Sequence, residues 1–297
     1  MAVRLPEVSV AEIGVTAVHD AAEIAAPRWR RDLELWLPAG FLALLVGACF
    51  LWPLIDHSLP SPVGGQLQNA NVPPLSRGAL FGTDNLGNDI FSRILYGGRV
   101  SIEVGLGANL IGLCLGGYYG VFAAFKGGLI EATMMRILDM FLAFPALILA
   151  IVVSQFLGPS ELHVIFAISF FSVPAFARIA RAQTLRLREQ TYVTAARLSG
   201  RKDRAILFGH VIPNVVPNLL TFGLLGIPIV IIVEAALSFL GYGVPPPGPS
   251  WGNMLAVGQS YLSSNPDLVI IPAAFLIATV LSLNLVGDAV RDRWASR

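Results

Sequence analysis

The 297-residue chain is 55% hydrophobic and only 13% charged, with a mean hydropathy of +0.69, where soluble domains carry about 25% charged residues; it reads as an integral membrane protein. A net charge of +1 gives no general affinity for nucleic acid, and the basic residues are sorted by side instead of pooled in a patch. Cys49 and Cys114 fall inside apolar segments and read as small hydrophobes; with no CxxC pair or Cys/His cluster they define neither a disulfide framework nor a metal site.

Residues 1–33 form a polar, alanine-rich segment ending in Arg28, Arg30 and Arg31, which places it on the cytoplasmic side. Glu7, Glu12, Asp20 and Glu23 interrupt any signal-peptide core, so the first span is expected to stay uncleaved. That span occupies 34–56, an apolar run long enough to cross ~30 Å of hydrocarbon at ~1.5 Å per residue. Residues 57–98 are an outer loop rich in Pro, Ser, Gly and Asn. It ends in a helix expected at the interface, where Ile90, Phe91, Ile94 and Leu95 interleave with Ser92 and Arg93. Asp84, Asn85, Asn88 and Asp89 do not have calcium-loop spacing, because Gly87 is misplaced and no suitable Glu follows; they read as helix-capping residues.

A five-helix core is expected over 99–290. The second span, about 99–125, carries Ala108, Gly112, Gly116 and Gly120 at intervals of four, a stripe that lets another helix approach closely. The third, about 129–156, holds Arg136 and Asp139, expected to pair with each other or with a neighbouring helix, and a kink at Phe144-Pro145. The fourth spans about 162–177. The polar loop 178–214 then carries Arg178, Arg181, Arg186, Arg188, Arg197, Arg201, Lys202 and Arg204, which assign it to the cytoplasm.

Within this loop Tyr192, Val193, Ala195, Ala196 and Leu198 are compatible with a narrow apolar helix face, with Thr194, Arg197 and Ser199 pointing elsewhere. Gly200 stops the helix, Asp203 is the expected N-cap of a second short helix to His210, and Pro213 marks the return to the bilayer. A helix built on Ala195 and Ala196 is slim. It either docks into a groove on another protein or lies on its own chain.

The fifth span, about 215–240, contains Pro217, Pro228 and Glu234; the Glu234 carboxylate either faces a pore or caps at the interface. The following outer loop includes Gly248-Pro249-Ser250-Trp251-Gly252, a G-x-S-x-G match without strand, sharp turn or nearby His. His57 and His163 are the only imaginable outer-side bases, so a hydrolase is a rival reading with little behind it, and Trp251 reads as an interface anchor. The sixth span covers about 268–286, and the tail 291–297 carries Arg291, Arg293 and Arg297, so both termini are expected on the cytoplasmic side.

No energy source is built in. Lys126 and Lys202, the only lysines, are not part of a GxxxxGKS/T loop, and few ionisable groups lie inside the spans to couple an ion. Energy must come from a partner, or, in a remote alternative, the chain is a secondary transporter.

The register of Thr194-Ala195-Ala196, Gly200 and His210-Val211-Ile212-Pro213 resembles the EAA signature of ABC importer permeases, with Thr194 where the family usually has Glu. GTDNLGNDIFSRILYGGRVS, with Asn88 for the usual Arg, DMFLAFPALILA, EAALSFLGYGVPPPGPSWGNML and LNLVGDAVRD resemble the dipeptide/oligopeptide/nickel branch. The resemblance runs from Phe81 to Arg293. It implies an all-α membrane protein with six spans, a type I importer permease core and a cytoplasmic coupling helix. Tyr192, Val193, Thr194, Ala195, Ala196, Gly200, His210 and Pro213 would then form the ATPase-docking site. It further implies a second homologous permease, two ATP-binding cassette ATPases that use ATP and Mg, an extracytoplasmic binding protein, and a bacterial cytoplasmic membrane with its lipid around the chain. This subunit would bind no cofactor and catalyse nothing. Short peptides are the implied cargo, nickel chelates or other peptide-like solutes the alternative, with Glu234 a candidate for the pathway.

Overall fold

A computed structural model describes residues 28–55, 61–76 and 79–295. Most of the segment expected in the cytoplasm at the N-terminus, His57 and Arg297 lie outside these residues. Among the described residues the α-helices are α1 (Arg28–Ile55), α2 (Ile90–Ile111), α3 (Gly117–Lys126), α4 (Gly128–Leu142), α5 (Ala146–Leu157), α6 (Glu161–Arg188), α7 (Thr191–Leu198), α8 (Asp203–Ile206), α9 (Ile212–Phe239), α10 (Trp251–Gln259) and α11 (Asp267–Ala295). Single π turns, Gly112–Gly116 and Leu207–Val211, join α2 to α3 and α8 to α9. Five helical stretches are long and apolar enough to cross a membrane: Leu35–Trp52, Ile90–Lys126, Glu161–Arg188, Asp203–Phe239 and Asp267–Trp294. The pair α4 and α5 makes a sixth if it counts as one span.

Several boundaries differ from expectation, each for a local reason. The helix expected at the outer interface is the first part of the second span, which runs unbroken through residue 98. Asp89 starts it by accepting the Ser92 amide at 2.8 Å. Burial pushes the Asp89 carboxyl above its ordinary range, opposed by that same amide. At Phe144-Pro145 the third span is broken, not kinked: α4 and α5 meet at 86°, with Pro145 extended at φ −57°, ψ 128°. The fourth span continues as helix to Arg188, well into the expected loop. Pro213 sits in the first turn of α9, behind the π turn, so the chain enters the fifth span without a separate bend. Lys202, not Asp203, precedes α8, and no side chain caps it.

The close contact in the bundle is between α3 and α6. A Cβ at Gly112 would lie 2.7 Å from the Phe176 ring. At Gly116 and Gly120 it would overlap the carbonyl oxygens of Val173 and Ala177. Only hydrogen fits at these positions, and the two backbones touch; in lipid such contact, not water exclusion, drives association. Ala108 continues the stripe, fully buried against the middle core of Val104, Ala167 and Ile168.

Two further cores close the ends. Val121, Phe125, Phe176, Val193, Leu207 and Val215 pack at the end that carries α7. Leu45, Cys49, Ile94, Trp251 and Met254 pack at the other. Large apolar side chains such as Leu44, Leu129 and Phe156 remain exposed, as a hydrocarbon solvent or a protein neighbour permits.

Gly120→Val should force α3 from α6 and lower the melting temperature of the detergent-solubilised protein by several degrees, for an overpacking cost of about 1–3 kcal/mol. Gly47→Val is the control, since a Cβ there meets nothing within 4 Å; equal melting of the two variants would refute the close packing.

Candidate functional site: the α7 docking helix

Helix α7 starts after Gln190, whose backbone is extended at φ −69°, ψ 144°. It is closed by Gly200 at φ +74°. A Cβ at Gly200 would meet nothing within 4 Å, so glycine is needed for the left-handed backbone, not for space. The closing bonds run from the Gly200 amide to the Arg197 carbonyl at 3.0 Å and from the Arg201 amide to the Ala196 carbonyl at 3.2 Å.

The five residues expected to share one apolar face are divided between two. Val193 is fully buried with Phe125, Ile206 and Leu207, and Ala196 packs half-buried against the same core. Tyr192, Thr194, Ala195 and Leu198 are exposed, Leu198 to 85%. One side therefore anchors the helix while Thr191, Thr194, Ala195 and Leu198, at helical spacing, present a slim outer stripe. The Thr194 hydroxyl reaches only the Gln190 carbonyl, at 3.4 Å.

Polar contacts set the angle of the helix. The Tyr192 ring meets the His210 ring edge-on with centroids 6.2 Å apart, and Arg201 Nη1 lies 2.9 Å from His210 Nε2. The Arg197 guanidinium stands 5.5 Å from the Phe125 ring centroid. Tyr192, Val193 and His210 are thus brought together around the seat of α7; Pro213 is exposed at the start of α9.

Beneath the seat, α6 is tied to its neighbours by contacts that sequence reasoning assigned incompletely. Arg188 donates to the Ala124 carbonyl at 2.9 Å. Asp139, expected to pair with Arg136 or with a neighbouring helix, takes the second course with Arg178 at 2.8 Å, and Glu131 pairs with Arg181 at 2.6 Å. Glu131 and Asp139, eight residues apart on α4, face two arginines on α6. That spacing on antiparallel helices is the signal that could have found them.

Glu234, the candidate pathway residue, is enclosed by protein in this structure. It is 0% exposed. Its carboxylate accepts the Ser101 hydroxyl at 2.7 Å and the Ser238 hydroxyl at 2.7 Å. Ser238 in turn accepts the Val244 amide at 3.1 Å. So enclosed, the carboxylate joins α2, α9 and the loop after α9. Trp251 is no interface anchor, being fully buried with its Nε1 donating to the Ile94 carbonyl at 3.1 Å. Ser250 is a helix cap: its hydroxyl accepts the Asn253 amide at 3.3 Å and its amide reaches Asn253 Oδ1 at 3.0 Å. Asp84 is occupied by the amides of Leu86 and Asn88, each at 2.9 Å.

A multi-pass helical bundle with a stiffly seated, outward-facing helix between its fourth and fifth spans has the build of a transport permease. The chain belongs to the family described as binding-protein-dependent transport system inner membrane component, which its residues 116–297 match. It is 39% identical to the glutathione transport system permease protein GsiD of Pectobacterium atrosepticum, over 89% of this chain and 88% of that one. A putative peptide transport system permease protein of Brucella abortus is 37% identical over 91% and 90%. The dipeptide transport system permease protein DppC of Alkalihalophilus pseudofirmus is 39% identical over 71% and 70%. Among solved structures, an inward-facing MetNI methionine ABC transporter shares the fold, with a TM-score of 0.57 at 18% identity over 68% of this chain and 97% of that one.

Glu234→Leu strands the Ser101 and Ser238 hydroxyls and should cost about 1–3 kcal/mol, read as a lower melting temperature. Glu234→Gln keeps an acceptor and should melt close to the parent with unchanged solute preference. A changed preference with unchanged melting would put Glu234 on the pathway.

Proposed function

We propose that this chain is the pore-forming permease subunit of an ATP-driven importer of short peptides, with α7 as the helix through which ATPases push. The observation that carries the reading is the two-sidedness of α7. Val193 and Ala196 hold it to the core that also contains the start of the fifth span, while Ala195 and Leu198 stand free on a slim outer face. A push on such a helix is passed to α9 as rigid-body movement, because buried side chains cannot slip past one another. Thr194, exposed and bonded only weakly to its own turn, leaves the outer stripe less polar than a glutamate would.

In this reading two ATP-binding cassette ATPases bind at the α7 end and consume ATP with Mg; the chain itself holds neither. A second, homologous permease completes the pore, against the side where α4 and α5 leave Leu129 86% and Phe156 89% exposed. A binding protein delivers cargo at the opposite end, and both termini lie with α7 in the cytoplasm, consistent with the arginines of 178–214. The peptide assignment rests on the relatives, whose names specify glutathione, peptide and dipeptide transport.

Co-purification of the tagged chain with mass spectrometry of its partners tests the assembly, and ATP-dependent uptake of labelled dipeptides and glutathione by liposomes tests the cargo. Leu198→Glu or Ala195→Trp should lower ATPase recovery at least tenfold with the melting temperature unchanged. Ala196→Trp should instead destabilise the chain. A wild-type chain that purifies alone and transports without ATP would overturn the proposal.

A further inference from the structure

The fifth span is attached to the second at two levels, and between them it is built to bend. At the upper level Glu234 accepts from Ser101 at 2.7 Å, and Ile231 presses on Gly105, where a Cβ would lie 2.7 Å from Ile231 Cγ1. At the lower level Asn109 Nδ2 donates to the Gly223 carbonyl at 2.7 Å. A Cβ at Gly226 would come 2.8 Å from the Asn109 Oδ1. Between these levels lies Pro228, which has no amide for the Leu224 carbonyl, so the helix is compliant there.

Below Asn109 the packing changes. Lower α9 touches the second span through Val215 and Leu219, packed with Val121, and beside that contact a cleft of about 290 Å³ opens toward the α2–α3 junction. Val216 and Leu220 face it from α9, Cys114 and Tyr118 from the opposite wall. That opposite wall is rigid, being the helix whose Gly116 and Gly120 touch the α6 backbone. Asn109 itself is 93% enclosed by protein (7% exposed), a costly place for an amide that does no more than fill space.

We propose that Asn109 is a positioning residue for transport: it fixes the pivot at Gly223–Pro228 about which the α7-proximal half of α9 moves across this cleft. The inference rests on the importer reading, since docked ATPases supply the push. Above the pivot, α9 stays with α2 through Glu234 and Ile231. Below it, the edge of α9 that carries Val216 and Leu220 moves against the α2–α3 wall and changes the separation of Val216 from Cys114.

The test uses the full complex with its ATPases in liposomes. Val216→Cys is paired with the native Cys114 and a short bifunctional thiol reagent; Cys49, fully buried, remains in place. The cross-linked fraction should differ at least threefold between nucleotide-free and vanadate-trapped complexes. Asn109→Leu, which keeps the volume and removes the donor, should abolish that difference. It should also reduce peptide uptake per ATP hydrolysed at least tenfold while ATPase recovery is unchanged. Equal cross-linking in both states of a complex that transports overturns the pivot alone, as does an Asn109→Leu complex with parental coupling. If Asn109→Leu does not fold, the cross-linking in the otherwise parental chain decides. A parental chain that recovers no ATPase overturns the importer reading, and the pivot with it.

Discussion

The contact on which the rest of this structure depends is backbone against backbone, where Gly116 and Gly120 of the second span meet Val173 and Ala177 of the fourth. Lipid tails are as apolar as leucine, so burying leucines against each other gains little in a bilayer. Removing every side-chain atom from the contact lets dispersion forces act along two helices at their closest approach. The resulting pair is the stiff member of the bundle. The arginines near the end of α6 then tie it to α4 and to the end of α3, and α7 is seated on the floor those helices make.

Polar groups inside the spans are few, and several of them are partnered. An unpaired charge near the bilayer centre costs on the order of 2.5–3.5 kcal/mol on insertion scales. Arg178 with Asp139, Arg181 with Glu131, Glu234 with Ser101 and Asn109 with a backbone carbonyl each answer that cost between different helices. Such contacts have directions and lengths, unlike apolar packing, and so they also define how the helices are registered against one another.

Much of this was legible in the sequence because membranes simplify it. Apolar run lengths located the spans, the four-residue glycine spacing marked the tight helix, and Gly200 marked the end of α7. The orientation of individual side chains was not legible. Val193 and Leu198 are both apolar and lie on one short helix, and nothing local distinguishes the buried one from the exposed one. Trp251 looked like an interface residue because tryptophan often is one; that Gly98 leaves room for its ring depends on a residue more than 150 positions away. The enclosure of Glu234 was hidden for the same reason: its serine partners are ordinary residues until folding gathers them.

The 86° break between α4 and α5 gives the molecule two different sides. A helix hides its own backbone polarity, but a corner cannot, and irregular backbone does not occur against hydrocarbon. The corner at Pro145 must therefore be roofed by protein or wetted by water. Unbroken α1 and α11, with Leu44 and Ile277 turned outward, are free to meet acyl chains. The subunit thus carries its own compass: one flank belongs to the lipid annulus, and the flank with the corner must be turned away from it.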